Sequence, residues 1–337
     1  MRLPGIPARL FALLTPLLLL GGCTTELAGP VETFEQTWQD FDELYGGFEV
    51  RAIDWDEVYA RHRPLVHEGM SDDELFTVAT DMLSELDDGH VNVVAPGREM
   101  WNANAHRRGK VDFDLFDVEL VREHYLAGDY ETDEWESHTL GTLPDGSAYL
   151  HLPWVSDNLY VLERARELGE QAGRLVLDMR HSGGGTFTYA TEALRDWTDE
   201  SLPVWKTRSR NGPERDDFTG WWTWRLEGRG SHPDFDTVVL IDRYTISASE
   251  RMTVILEQLP RVTFVGEPTS GALSCLIGRE MLNGWTVTIA SREVRNLDGT
   301  SYEGVGLPPD LEARNDPALM EQGIDTVLET GMAQFEP

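Results

Sequence analysis

The side chains of this sequence able to do chemistry together begin with Ser247. It stands where an apolar, β-branched run, Thr237–Asp242, gives way to Arg251–Leu259, whose apolar positions follow helical spacing until Pro260 ends them. A serine at a strand-to-helix junction sits among free backbone N–H groups at the positive end of a helix dipole, a setting that favours developing negative charge. It is also a preferred helix cap, so Ser247 needs partners before it can act as a nucleophile. His90 is one candidate: in Leu86-Asp87-Asp88-Gly89-His90-Val91 it follows Gly89, which reads as the C-terminus of a helix, and precedes a strand over Val91–Val94. A lone imidazole is more often a satisfied core or surface residue than a base. Gly183-Gly184-Gly185 is the third piece, lying between the buried strand Arg174–Arg180 and a helix from about Thr186 to Trp197. Glycines there let a backbone approach a ligand closely. No G-x-x-x-x-G-K-[ST] pattern accompanies them, so an oxyanion-binding loop or a plain tight turn is expected rather than a phosphate loop.

The elements that must position these residues are legible in outline. Residues 1–22 read as a lipoprotein signal peptide, with Arg2 and Arg9 beside an apolar run too short and interrupted to span a bilayer. Leu20-Gly21-Gly22-Cys23 resembles a bacterial lipobox, which implies lipidation of Cys23. Thr24 follows where an aspartate would imply retention at the inner membrane, so the expected location is the outer membrane, facing the periplasm. Residues 23–30 are a tether. Residues 31–95 read as a helical domain, with an aromatic stripe and a capping box, Ser71-Asp72-Asp73-Glu74, opening its third helix. Residues 96–146 are polar, acidic and weakly periodic, a connecting region. From 147 to 337 strands alternate with helices, which gives an α/β domain. A last helix is expected from about Pro317 to Ala333. Trp205, Trp221, Trp222 and Trp224 read as packing residues, the alternative being a peptide-binding surface.

Composition narrows the function classes. With 28 Lys and Arg against 60 Asp and Glu the formal charge is −32, and removal of Arg2 and Arg9 with the signal takes it to −34. Such a field repels nucleic acid and anionic lipid. The two cysteines, Cys23 and Cys275, allow no disulfide framework within the mature chain. No His/Cys cluster has metal-ligand spacing, so neither metal nor cofactor is expected.

Five motifs in order carry a resemblance: Leu86–Val91, Leu177–Gly185, Ser247–Glu250, Gly266-Glu267-Pro268-Thr269-Ser270-Gly271, and Glu303-Gly304-Val305-Gly306-Leu307-Pro308-Pro309-Asp310. Together they resemble the S41 family of serine peptidases, which includes the C-terminal processing proteases, the tricorn core and the interphotoreceptor retinoid-binding repeats. The resemblance covers about residues 31–312. It implies a ClpP/crotonase-like ββα core preceded by a helical bundle, and a peptide or protein substrate cleaved through an acyl-enzyme. C-terminal processing proteases use a Ser–Lys dyad with the lysine shortly after G-E-P-T. Here Ala272 follows Gly271, and the two lysines of the chain are Lys110 and Lys206. The tricorn-like scheme takes its base from the first motif, which implies Ser247 as nucleophile, His90 as general base and Glu303 as orienting acid. Oxyanion donors would be the N–H of Ala248 and one from Gly183 or Gly184. In that scheme a serine precedes the histidine and links it to the glutamate. Gly89 stands there, so the link must be direct, through water, or through a residue such as Asp88. Residues 95–146 are too few for the PDZ domain of many relatives, so tail-gripping specificity does not carry over. The alternatives are a non-catalytic binding module for peptide or apolar ligand on the same scaffold, and a broader esterase or amidase. No G-x-S-x-G elbow supports an α/β-hydrolase.

Overall fold

Apolar runs of alternating direction explain the central layer. In the strand Arg174–Asp178, Leu175 and Leu177 face one hydrophobic cluster and Val176 the other, and in Asp236–Ile241 the same holds for Val239 and Ile241 against Val238 and Leu240. Strands buried on both faces require helices on both sides. In the computed structural model, which describes residues 27–335, they form the middle of a seven-stranded sheet. Its order is Leu311–Glu312, Val262–Gly266, Asp236–Ile241, Arg174–Asp178, Ala148–His151, Thr139–Thr142, Tyr130–Glu131. The first five pair in parallel, and the last two are added by antiparallel pairings. Tyr160–Ala172, Phe187–Leu194 and Ala248–Leu256 cover one face, and Val118–His124 with Thr326–Met332 the other. This is the α/β core expected.

The helical region begins as read. Pro30–Leu44 ends before Gly46-Gly47, Asp54 caps Trp55–His62 by accepting from the Asp56 and Glu57 N–H groups, and Ser71 with Glu74 closes a capping box on Asp72–Ser84. Its aromatic stripe is core: Phe34, Phe41, Tyr45 and Trp55 are all buried. The other half of that core comes from far along the chain. Asn92–Val94 pairs with Thr286–Ala290 and with Trp101–Asn102, while Leu276–Glu280 adds the outer strand of a four-stranded antiparallel sheet. Met281, Trp285, Val287 and Ile289 from this hairpin pack with the helices, so segments on both sides of the connecting region share one core.

Three local expectations are corrected. The third helix ends at Ser84, and the turn that follows has Asp87 at φ 44°, so Gly89 is not the helix terminus. The C-terminal helix is two, Pro317–Met320 and Thr326–Met332, because Gly323 at φ 79° breaks the run. The tryptophan segment forms strands Ser201–Ser209 and Trp222–Glu227; Trp205 is buried and Trp224 packs on the core, while Trp221 and Trp222 are exposed. Residues 1–26, including Cys23 and the signal, lie outside the described residues. Among the described residues no helix is long and apolar enough to cross a membrane.

The shared core is testable. Trp285 is buried edge-on against Phe76, ring centroids 5.4 Å apart. Trp285→Ala should cost about 3–5 kcal/mol and lower the melting of helix signal and tryptophan environment together. Separate transitions in far- and near-ultraviolet circular dichroism would contradict a single cooperative core.

Candidate active site

Ser247 is held under backbone strain. Its φ of 64° and ψ of −121° place a non-glycine residue in the left-handed half of conformational space, immediately before the buried helix Ala248–Leu256. The turn leading to it is bound from behind. Asp242 accepts from the N–H groups of His181, Tyr244 and Thr245, and Thr245 Oγ1 donates to Met179 O at 2.8 Å. Glu250 then clamps the serine: its carboxylate accepts from the N–H groups of Ser247 (3.1 Å), Gly271 (2.7 Å) and Ala272 (2.9 Å) and from Thr269 Oγ1 (2.7 Å). The glutamate three residues after the serine thus joins the Ser247 turn to the G-E-P-T-S-G segment. Burial pushes its pKa up against those hydrogen bonds.

The glycine loop lies directly on the serine. A Cβ on Gly184, whose φ is 93°, would stand 2.7 Å from Ser247 Cβ, so only glycine fits. Trp154 covers Gly183 on its other side. Both glycine N–H groups are engaged here, Gly183 to Pro153 O at 2.8 Å and Gly184 to Ser249 Oγ at 3.2 Å. The N–H groups of Ala248 and Gly185 donate to no protein group among the described residues. Behind the loop, Arg180 is buried between Asp178 (2.6 Å) and Asp325 (2.9 Å), which assigns the Asp-Met-Arg part of that motif a structural task.

His90 reaches the same place from the other sheet. Asp88 Oδ1 accepts its N–H at 2.8 Å, Thr288 Oγ1 donates to its carbonyl at 2.6 Å, and Asn102 Nδ2 donates to Gly89 O at 2.9 Å. Ser247 and His90 line one cleft of about 650 Å³. Burial, aided by the charges of Arg251, Arg51 and Arg107 and opposed by Asp88, lowers the imidazole pKa to about 4, so the ring is neutral at ordinary pH and able to accept a proton.

Glu303 is not hydrogen-bonded to His90. It lies 3.4 Å from Arg51 Nη2, and Arg51 Nε lies 3.4 Å from Asp88, whose Oδ2 also accepts from Tyr45 OH at 2.8 Å. Arg51 therefore joins Glu303 to Asp88, and Asp88 holds the His90 backbone. Glu303 Oε1 and His90 Nδ1 are both buried without a protein partner. Desolvation and the nearby Asp88 raise the Glu303 pKa to about 8. No side chain at position 89 bridges the two because a Cβ there would meet Ile246 Cδ1 at 2.8 Å and Ala272 Cβ at 3.3 Å.

Sequence reasoning missed much of the cleft wall. Arg107, Arg108, Lys110 and Phe113 from the connecting region line it together with Trp154 and Tyr244, and Tyr244 packs against Phe113. The signal that could have found them is charge: they interrupt an otherwise acidic stretch.

Comparison with known proteins agrees with this geometry. The profile of peptidase family S41 matches residues 146–313, and that of the tricorn protease C1 domain matches residues 30–84. The chain belongs to peptidase family S41. A carboxyl-terminal-processing protease of Synechocystis is 33% identical over 150 residues, 43% of this chain and 33% of that protein. A chloroplastic carboxyl-terminal-processing peptidase of Arabidopsis thaliana is 26% identical over 42% of this S41 chain and 26% of its own length. The chain thus spans between 26% and 39% of the length of three such curated relatives. Among solved structures, a candidate peptidase from Parabacteroides merdae superposes with a TM-score of 0.81 at 25% identity, over 91% of this chain and 96% of that one. Mature CPAF, solved with lactacystin, has a TM-score of 0.64 at 11% identity over 85% and 94%, a likeness of fold.

Two outcomes are expected of this S41 site. Glu250→Gln sets an amide NH₂ against N–H and O–H donors and should cost about 3 kcal/mol, read as a lowered urea midpoint; an unchanged midpoint would remove Glu250 as the clamp. Glu303 has a folded pKa of about 8 against an ordinary 4.5, so the folded state holds its proton longer than the unfolded one. Its contribution to stability is present below about pH 4.5 and is lost as pH rises through 8. Glu303→Gln should therefore gain stability over the wild type as pH rises across that window, and a pH-independent difference between their urea midpoints would refute the shift.

Proposed function

We propose that this chain is a serine peptidase in which Ser247 attacks the peptide carbonyl with His90 as general base. The observation that carries the reading is the pairing of a strained serine at a helix N-terminus with a buried, neutral imidazole across one cleft. Ser247 Oγ adds to the carbonyl carbon while His90 takes its proton. The tetrahedral oxyanion is met by the Ala248 N–H, with the Gly184 N–H as second donor on release from Ser249. The leaving amine departs with the proton from His90, and water attacks the acyl-enzyme by the same route. Glu303 and Asp88, tied by Arg51, hold His90 in place rather than pairing with its ring. Neither lysine serves as base in this reading.

The substrates are peptides or proteins, as the names of the relatives suggest. The same proposal takes the lipobox at face value: Cys23 anchors the mature domain to the outer membrane on its periplasmic side, and residues 23–30 are its tether.

A fluorophosphonate probe tests the mechanism. Ser247 should be labelled, with a rate that falls on the acid side around pH 4 rather than at the 6.5 of a free imidazole. His90→Ala should slow labelling by about a hundredfold or more, while Lys206→Ala and Lys110→Ala leave it near the wild-type rate. Labelling that depends on a lysine, or that survives His90→Ala, would overturn the scheme.

A further inference from the structure

The wall of the cleft built by the connecting region has the wrong sign for this protein. The chain as a whole carries −32, yet the residues lining the cleft carry Arg107, Arg108 and Lys110 against Glu99, a local balance of +3 − 1 = +2. None of the three cations has a carboxylate within 4.0 Å among the described residues, whereas most arginines of the chain are paired. The nearest acid in sequence, Asp112, is taken by Arg314 instead. Glu99 makes no ion pair among the described residues either.

The segment bearing the cations is fixed in place. Asp87 Oδ1 accepts the Ala105 N–H at 2.8 Å, Tyr244 OH donates to Val111 O at 2.9 Å, and Phe113 stacks on His181 with centroids 4.4 Å apart. Arg107 is the innermost of the three. Its Cδ is 3.5 Å from where a Cβ on Gly89 would stand, beside the proposed base, and its Nη1 reaches only the Tyr244 carbonyl at 3.4 Å. Burial pulls its pKa below the ordinary guanidinium value. Arg108 and Lys110 are exposed farther along the wall. A guanidinium held mostly out of water without an anion is costly, and a bound carboxylate would offset that cost.

We propose that Arg107, Arg108 and Lys110 select peptides carrying acidic side chains next to the scissile bond, binding their carboxylates along this wall. The assignment rests on the peptidase reading for the scissile bond, but the recognition itself is a binding event. A graded series of cations, from half-buried beside Gly89 to exposed at the rim, suits charges distributed along a substrate better than the single carboxylate of a chain end. The acidic remainder of the surface repels such peptides, so attraction is confined to the cleft, where low-dielectric walls focus the field.

Binding is measured on Ser247→Ala protein by fluorescence anisotropy, with short labelled, C-amidated peptides that differ only in carrying Glu or Gln at adjacent positions, and with the Gln peptide bearing a free α-carboxylate. The Glu peptide should bind about tenfold tighter than its Gln isostere at low salt, and the preference should shrink at high salt. Added Arg108→Glu and Lys110→Glu should reduce it below about threefold. Lys110→Glu alone, at an exposed side chain, carries the test if the double change lowers the melting temperature. Equal binding of Glu and Gln peptides, no binding of either, a preference that follows the free α-carboxylate, or one that survives charge reversal would each overturn the proposal. Failure of fluorophosphonate to label Ser247 would instead overturn the peptidase reading and leave this binding result standing.

Discussion

The Glu250 carboxylate is the point on which the site depends. It is buried, accepts four hydrogen bonds, and takes them from two separate stretches of chain, the strained serine turn and the loop Thr269–Ala272. A buried carboxylate tolerates no substitute geometry, because each donor it satisfies would otherwise be stranded out of water. The strain at Ser247 persists because its surroundings over-determine it: Glu250 from the helix side, Asp242 and Thr245 from the strand side, and the glycine loop from above. The same loop Thr269–Ala272 receives Arg51 at Gly271 O and the Gly304 N–H, so the clamp extends to the residues around Glu303.

Much of this was legible in the sequence because it follows local rules. The buried strands announce themselves through β-branched runs, and Ser71 with Glu74 marks a helix start whose geometry the structure reproduces. Ser247 and His90 were found by motif, and the structure sets them along one cleft. What escaped is non-local. Nothing in the periodicity of Trp285–Ile289 says that it pairs with Asn92–Val94 and packs under helices two hundred residues earlier. The Arg51–Asp88–Glu303 network likewise unites residues whose individual surroundings look unremarkable in one dimension.

The proposed oxyanion donors and Glu303 illustrate a subtler limit. Position in a motif names Gly183, Gly184 and Glu303, but hydrogen-bond allegiance depends on neighbours the motif does not contain: Pro153 and Ser249 for the glycines, Arg51 for the glutamate. Residues 96–146 were opaque for another reason. Their helices are short, Ala105–Arg108 and Val118–His124: the first lies in a segment held by Tyr244 and His181, and the second packs Val121 under the central sheet over too few turns to show a period.

The hairpin Leu276–Ala290 also imposes an order in time. A chain that emerges N-terminus first presents His90 early, but the strand that carries its neighbours is flanked by Thr286–Ala290, and Thr288 Oγ1 holds the His90 carbonyl itself. Until that hairpin has emerged, the imidazole has no fixed station relative to the serine. A polypeptide that stops short of Leu276 therefore carries Ser247 and His90 without this constraint on their alignment, which is completed in one step once Thr286–Ala290 has been made.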